Sequence, residues 1–168
     1  YTGEHYIPSL GEERWKKLFR YESLAKDGVG VTIGTDYPAA EGGALGANPL
    51  LQIECAVTRQ QPAVLGADER IQPPIDERMS VAHAVEAFTI NGAKQMRLDK
   101  SVGSLEIGKK ADLIILSENI FDVQPNQIGN SEVIFTLFNG QIVHDAIFQN
   151  ENVDSFEDLT LNIDLCDE

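Results

Sequence analysis

The chain has 168 residues, of which 42% are hydrophobic, so a packed core is possible and global disorder is excluded. Its 27 acidic and 13 basic residues give a formal net charge of −14, and such a field repels phosphate backbones and anionic lipids. We therefore expect neither nucleic acid nor a membrane as a partner, and no apolar run reaches the roughly 20 residues of a membrane helix.

The start of the chain and its cysteines bear on the cellular compartment. The chain opens Tyr-Thr-Gly-Glu-His, without Met and without a visible signal peptide. We expect a fragment or a processed protein located in the cytoplasm, although a signal in a lost segment leaves the compartment open. Cys55 and Cys166 form no CxxC pair, which excludes a zinc knuckle and favours reduced thiols over a disulfide.

Residues 9–28 have the pattern of a helix, either continuous or broken near Tyr21. Ser9 and Glu12 have the spacing of a capping box. Apolar residues then recur at helical spacing, namely Trp15, Leu18 and Phe19. Gly28 is a natural end for this helix, because glycine tolerates the left-handed conformation.

A buried strand and a second helix are predicted next. Val29–Gly34 is short, β-branched and apolar at nearly every position, which is typical of a parallel strand buried on both faces. The glycine-rich loop Glu41–Gly46 follows without the Lys-Ser/Thr pair of a phosphate-binding loop, so we interpret residues 39–48 as a mobile loop beside the site. Asn48 and Pro49 then cap and start a helix. This order is that of a βα unit.

In the second half of the chain the spacing of the apolar residues changes from that of helices to that of strands. Residues 60–79 are irregular, Ser80 caps a third helix, and Asn91-Gly92 ends or bends that helix. Two hairpins are predicted after it: residues 105–107 with 113–116, and residues 133–138 with 141–143 across Asn139-Gly140. The tail holds seven acids and no Lys or Arg. Four of its apolar residues alternate as in a strand, although a solvated tail is an equal alternative: Leu159, Leu161, Ile163 and Leu165.

Asp36 is the strongest candidate for chemistry. A carboxylate just past the carboxyl end of a buried parallel strand lies where barrel enzymes place their catalytic groups. There it holds a divalent metal, or takes and returns a proton. The alternative is structural, because an Asp before a turn commonly caps local backbone groups.

Other polar residues carry weaker patterns. The three histidines, His5, His83 and His144, form no HxH or HExxH motif. We expect a structural role for His83 and an exposed position for His144, and leave open whether His5 reaches a site. Cys55 is expected to be a small core residue rather than a nucleophile. Arg59 either favours the dipole of its helix or anchors a loop.

Several segments together resemble the amidohydrolase superfamily, specifically amidohydrolase family 3. The segment that ends at the predicted strand carries the G-x-E-R, G-V-x-V and G-S/T-D-x-P motifs of that family, here Gly11–Arg14, Gly28–Val31 and Gly34–Pro38. The later segments ECAVTRQ, MSVAHAVEAFTINGAKQM, VGSLEIGKKADLIIL and TLFNGQIVHD resemble further family motifs. The matches run in order over about residues 9–146.

The resemblance implies a fold and an activity. The expected fold class is α/β plus β: the C-terminal part of a (β/α)8 metal-dependent hydrolase barrel, followed by a small β-sandwich segment. Residues 1–98 are then the last βα segment, residues 99–148 the composite β-sandwich domain, and residues 149–168 an acidic tail. The resemblance further implies one or two divalent metals, with zinc expected, and hydrolysis of non-peptide, amide-type C–N bonds in a small-molecule substrate. Asp36 matches the aspartate that binds metal and shuttles the proton.

Departures from the family pattern leave alternatives open. The HxH motif, the bridging residue and the later strand histidines have no counterpart here, so most metal ligands are expected outside this chain. A single barrel strand also leaves backbone groups unpaired, which predicts a missing N-terminal barrel, another chain or a homo-oligomer as partner. The chain alone is expected to be inactive. The alternatives are a stand-alone, non-catalytic interaction module and a related deaminase or cyclic amidase.

Overall fold

The computed structural model describes residues 3–38, 43–66 and 70–147. Six α-helices and three β-strands lie within these residues: α1 Ile7–Leu10, α2 Glu12–Trp15, α3 Tyr21–Lys26, α4 Pro49–Thr58, α5 Val81–Phe88, α6 Ile90–Gln95, β1 Leu113–Leu116, β2 Val133–Phe138 and β3 Gln141–Asp145. Short 3-10 helices lie at Glu4–Tyr6, Ala63–Leu65, Ile75–Glu77 and Pro125–Asn130. Within the described ranges, no helix has both the length and the apolar character needed to cross a bilayer.

The helix predicted over residues 9–28 is broken just before Tyr21, as one of the two alternatives held, and also at Gly11, so the segment contains three short helices. Ser9 lies inside α1 and caps nothing, so the predicted capping box is wrong. Gly11 has a φ of 75° and separates α1 from α2, and Phe19 has a φ of 59° just before α3. Left-handed residues interrupt the helical hydrogen-bond ladder, which local apolar spacing does not reveal. Gly28, with a φ of 80°, follows the end of α3 as predicted.

The segment 29–34 is extended, but it is not part of a sheet in the described chain. Val31 is buried, whereas Val29 is 50% exposed, so the prediction of burial on both faces is wrong here. The backbone N–H of Ile33 donates to Ala87 O at 3.3 Å, and Asn91 Nδ2 donates to Val31 O at 3.1 Å. The segment is therefore held by the end of α5 and the start of α6, and a parallel strand buried on both faces needs further strands beside it.

The core lies between α4, α5 and the Pro125–Asn130 turn. The predicted caps are confirmed, because Asn48 Oδ1 accepts from Leu50 N at 2.9 Å and Ser80 Oγ accepts from His83 N at 3.1 Å. The main buried apolar residues of this core are Val31, Leu50, Ile53, Val57, Met79, Ala84, Ala87, Ile120 and Ile128. The bend after α5 falls at Thr89, two residues before the predicted Asn91-Gly92.

A three-stranded antiparallel sheet with the order β1-β2-β3 follows the helices. The Asn139-Gly140 turn is confirmed: both residues have positive φ, 52° and 78°, and they join β2 to β3, as a primed hairpin turn requires. The other predicted hairpin is wrong, because β1 pairs with β2 and residues 105–107 form no strand. Ile107 and Leu105 are exposed. The predicted alternation at 159–165 and Cys166 lie outside the described residues.

Candidate functional site

Asp36 lies at the end of the extended segment 29–34 and is exposed. Its φ is 53°, in the left-handed region that Asp and Asn adopt more readily than other side chains. Its carboxylate makes no hydrogen bond or ion pair with the residues that the structure describes. Neighbouring residues 39–42 of the predicted loop lie outside that description, so the loop's role and that of Asp36 stay predictions.

The three histidines lie on different elements. His5 is exposed and its ring packs on Tyr6, with centroids 3.9 Å apart. His83 Nδ1 lies 2.9 Å from Glu22 Oε2, which fits the structural role expected for it. His144 is half-buried in β3, where Nε2 lies 3.1 Å from Val133 O, so the prediction that it is exposed is wrong.

A cavity of about 350 Å³ opens beside the carboxyl end of the extended segment. Gly34, two residues before Asp36, forms part of its wall. The remaining wall comes from the turn before α3, from α4 and from the segment near Gln72: Phe19, Tyr21, Thr32, Ile33, Gln52, Cys55, Ala56, Arg59 and Gln72. Cys55 is half-buried in this wall rather than in the core, which corrects the expected position.

Arg59 holds the cavity wall together. The side chain is 6% exposed, and its guanidinium donates to four backbone carbonyls: Gln72 O at 2.7 Å, Phe19 O at 2.8 Å, Pro73 O at 2.8 Å and Leu18 O at 3.1 Å. Of the two roles considered for Arg59, the structure supports the anchoring of loops. We call this set of contacts the Arg59 clamp. It joins the turn before α3, the end of α4 and the segment 72–73.

Burial shifts the pKa values of two groups in the cavity wall. Burial lowers the pKa of the Arg59 guanidinium, against the field of the Glu77 carboxylate, which favours the cation. Burial raises the pKa of the Tyr21 hydroxyl, although the nearby Arg59 charge opposes that rise. Because arginine stays protonated in proteins, the wall carries one buried cation.

Gln72 contributes a buried acceptor to the same wall. The residue is 5% exposed, its Nε2 donates to Pro73 O at 3.0 Å, and its Oε1 has no hydrogen-bond partner in the described chain. A buried amide oxygen without a donor costs about 1–3 kcal/mol. Such a group is rare in folded proteins and calls for a physical explanation.

Two buried carboxylates, which the sequence patterns did not reveal, position α3. Glu77 accepts from the backbone N–H of Ser23 at 2.9 Å and from the Ser23 hydroxyl, and Glu22 accepts from Ser80 N at 3.1 Å. Burial alone raises the pKa of each carboxyl, but these hydrogen bonds, with those from His83 to Glu22 and from Arg20 to Glu77, outweigh it and lower both pKa values. The carboxylates link α3 to the turn before α5.

A comparison with known protein families identifies the family of this chain. The family model described as "Amidohydrolase family" matches residues 1–144. The chain belongs to the amidohydrolase family. This confirms the resemblance drawn from the motifs, and it makes the chain a member of a family of hydrolases that are generally metal-dependent.

Individual relatives of this amidohydrolase chain are much longer than it. YtcJ of Bacillus subtilis is 30% identical over 141 residues, which are 83% of this chain and 25% of YtcJ. A 5-methylthioadenosine/S-adenosylhomocysteine deaminase of Thermoanaerobacter pseudethanolicus is 30% identical over 147 residues, 82% of this chain and 31% of the deaminase. The crystal structure of an amidohydrolase from Thermotoga maritima has a TM-score of 0.46 and 26% identity, over 74% of this chain and 26% of that one. The chain thus spans about a quarter to a third of these relatives.

The described part of this amidohydrolase chain does not make a metal centre by itself. No three His, Cys, Asp or Glu side chains within it converge as a metal-holding group. Asp36 is one candidate ligand, whereas catalytic zinc sites take three protein ligands. The residues described here therefore do not fit a complete metal site, and the predicted metal role of Asp36 depends on ligands from elsewhere.

Proposed function

We propose that this chain is the C-terminal part of a metal-dependent amidohydrolase that hydrolyses non-peptide, amide-type C–N bonds in small molecules. The family match over residues 1–144 carries the proposal. The position of Asp36 supports it, since this exposed carboxylate follows the extended segment 29–34 and adjoins the cavity wall at Gly34.

In the proposed reaction Asp36 moves the proton. The oxygen of a water molecule attacks the carbon of the C–N bond, and Asp36 takes the proton that the water loses. Asp36 then returns that proton to the leaving nitrogen as the C–N bond breaks, so the carboxylate is regenerated. An exposed carboxylate that makes no competing hydrogen bond with the described residues suits both steps.

We also propose that further polypeptide completes the fold as a (β/α)8 barrel with a composite β-sandwich. The extended segment 29–34 supports this, because several of its backbone groups have no partner in the described chain and sit next to the open cavity. Exposed apolar side chains around the sheet support a second layer: Leu105, Ile107, Phe138 and Val143. The additional polypeptide is a preceding segment, another chain or a second copy.

A divalent metal, with zinc as the first choice, is proposed as the cofactor of the complete enzyme, where it would activate the attacking water. Because no three His, Cys, Asp or Glu side chains converge within the described residues, most ligands must come from the additional polypeptide. The isolated chain should then hold no stoichiometric zinc.

The alternative function is a non-catalytic module that binds a partner through its sheet. The exposed apolar residues around the sheet favour this alternative as well. Native mass and metal analysis of the purified chain distinguish the two proposals. A stable, metal-free monomer that stays inactive after addition of its upstream polypeptide supports the module, whereas recovery of zinc binding and hydrolysis supports the enzyme.

The decisive test is Asp36→Asn in the complete enzyme. Asn suits the left-handed backbone at this position better than Ala, so the substitution removes the proton-accepting group with little added strain. We expect hydrolysis of N-acylated and cyclic amides, followed by amine release, to fall at least ~100-fold. The melting temperature should not change.

Asp27→Asn is the matched control, because Asp27 is also exposed but lies at the end of α3. This variant should hydrolyse amides at the unmodified rate. Unreduced turnover in Asp36→Asn would remove Asp36 from catalysis and leave the family assignment intact.

A further inference from the structure

Asn91 lies inside α6 rather than at the helix end or bend that the Asn91-Gly92 pair predicted, because the bend falls at Thr89. Its side chain has a different partner, 60 residues away in the sequence: Nδ2 donates to Val31 O at 3.1 Å. The side chain of Asn91 therefore fastens α6 to the extended segment 29–34, which leads to Asp36.

Val31 is the point at which the extended segment enters the core. Its side chain is 8% exposed and belongs to the same buried cluster as Ala84 and Ala87 of α5, while its carbonyl oxygen accepts from Asn91. A carbonyl oxygen has two lone pairs, so Val31 O can accept from Asn91 and from a neighbouring strand of the proposed barrel at the same time. The contact with Asn91 is therefore compatible with completion of the fold.

The helices hold the extended segment only as far as residue 33. Two further hydrogen bonds follow the one at Val31, namely Thr32 Oγ1 to Gln95 Oε1 at 2.8 Å and Ile33 N to Ala87 O at 3.3 Å. Residues 34–36 make no hydrogen bond with the part of the chain that the structure describes. Within that part, the attachment of residues 31–33 to α5 and α6 thus sets the place of the Asp36 carboxylate.

We propose that Asn91 is a positioning residue for Asp36: it holds the extended segment so that the carboxylate lies within reach of the attacking water and the leaving nitrogen. The proposal rests on the proposed function, because Asn91 acts only through Asp36. Proton transfer requires the two heavy atoms to lie within about 3.2 Å of each other, and a displacement of about 1 Å can cost about 100-fold in rate. Loss of this anchor should therefore slow the chemical step more than it weakens substrate binding.

The test is Asn91→Asp in the complete enzyme, because the two side chains have the same shape but a carboxylate cannot donate to Val31 O. We expect kcat for amide hydrolysis to fall about tenfold and KM to change less than about twofold, since the Arg59 clamp, which holds the cavity wall, is untouched. Asn91→Ser adds no charge and is too short to reach Val31 O, so it should give the same loss. A loss in Asn91→Asp alone would assign the effect to the added charge and would overturn the proposal.

A double-mutant cycle separates positioning from a general effect on the fold. In the Asp36→Asn enzyme no carboxylate remains there to be positioned, so adding Asn91→Asp should lower the residual kcat by less than about twofold. If Asn91 only stabilises the fold, the second substitution should again cost about tenfold, as it does in the unmodified enzyme. That result would overturn the proposal.

Asn130→Asp is the matched control. Asn130 also donates through Nδ2, but to Gln127 Oε1 at 2.7 Å within its own turn, so this variant should keep kcat and KM. Unchanged kcat in both Asn91 variants would overturn the proposal and leave the catalytic role of Asp36 standing. A fully active Asp36→Asn enzyme would instead overturn the proposed role of Asp36, and this inference with it.

Discussion

Replacing Arg59 by Met should remove a large share of the stability of this chain. The Arg59 clamp consists of four hydrogen bonds to backbone carbonyls. At a net worth of about 1 kcal/mol each, with water replacing part of the loss at the half-exposed carbonyls, the expected loss is about 3 kcal/mol. That is a substantial fraction of the 5–15 kcal/mol that typically separates folded from unfolded chains.

The backbone at this position makes Met an informative replacement. Arg59 has a φ of 56°, and Arg, Met and Lys all carry an unbranched Cβ. The left-handed conformation therefore costs all three about the same, and a change in stability reports the side-chain contacts alone. Arg59→Lys keeps the charge, but one ammonium cannot reach four carbonyls on three segments, so this variant should lose most of the same stability.

The assay is urea unfolding followed by circular dichroism, with the m-value checked for constancy. Arg78→Met is the matched control, because Arg78 is exposed and donates one hydrogen bond, to Thr58 O at 3.0 Å. It should lose no more than about 1 kcal/mol. Equal losses in Arg59→Met and Arg78→Met would show that the clamp carries no special stability and would refute this reasoning.

Other expected outcomes concern packing and pH. Gly129→Ala should destabilise the fold by about 1–3 kcal/mol, because a Cβ there would lie 2.3 Å from Leu51 Cδ2. Gly92→Ala in α6, with open space around it, should stabilise the fold. The midpoints of urea unfolding check both predictions. Since the folded pKa of Glu22 is lowered, its contribution is complete above the unfolded value of 4.5 and is lost as pH falls below it; Glu22→Gln should therefore destabilise at pH 7 more than at pH 3. Burial raises the pKa of Glu54, so Glu54→Gln should gain stability at pH 7 and little at pH 3. Melting temperatures at the two pH values check both Glu variants, and the opposite pH dependence for either variant would contradict the direction given for its pKa.

Local sequence signals correctly predicted the helix starts and the turn whose hydrogen bonds or backbone angles depend only on residues close along the chain. Asn48 and Ser80 cap their helices through side chains that reach two or three residues along the chain, so their role can be read without tertiary structure. The same is true of Asn139-Gly140, where both residues adopt the positive φ that the turn demands.

The remaining predictions were wrong or incomplete because they depend on contacts between residues far apart in the sequence. Residues 105–107 alternate as a strand should, yet β1 pairs with β2, about twenty residues further along the chain, and no local pattern ranks these two partners. The clamp was visible in the sequence only as an Arg at a helix end, because its acceptors lie at residues 18–19 and 72–73. Asp36 was singled out by its position after an apolar segment, but the groups that would complete its site are not among the described residues.

The pairing of Arg59 with Gln72 has a consequence for how this region can evolve. Arg59 O accepts from Gln72 N at 2.8 Å, and Arg59 Nε donates to Gln72 O at 2.7 Å. These two hydrogen bonds thus hold residues 59 and 72 together at the two ends of the intervening segment. Closing a longer loop between residues 59 and 72 costs little extra entropy. Insertions and deletions should therefore accumulate between these residues, while Arg59 and Gln72 themselves stay constant.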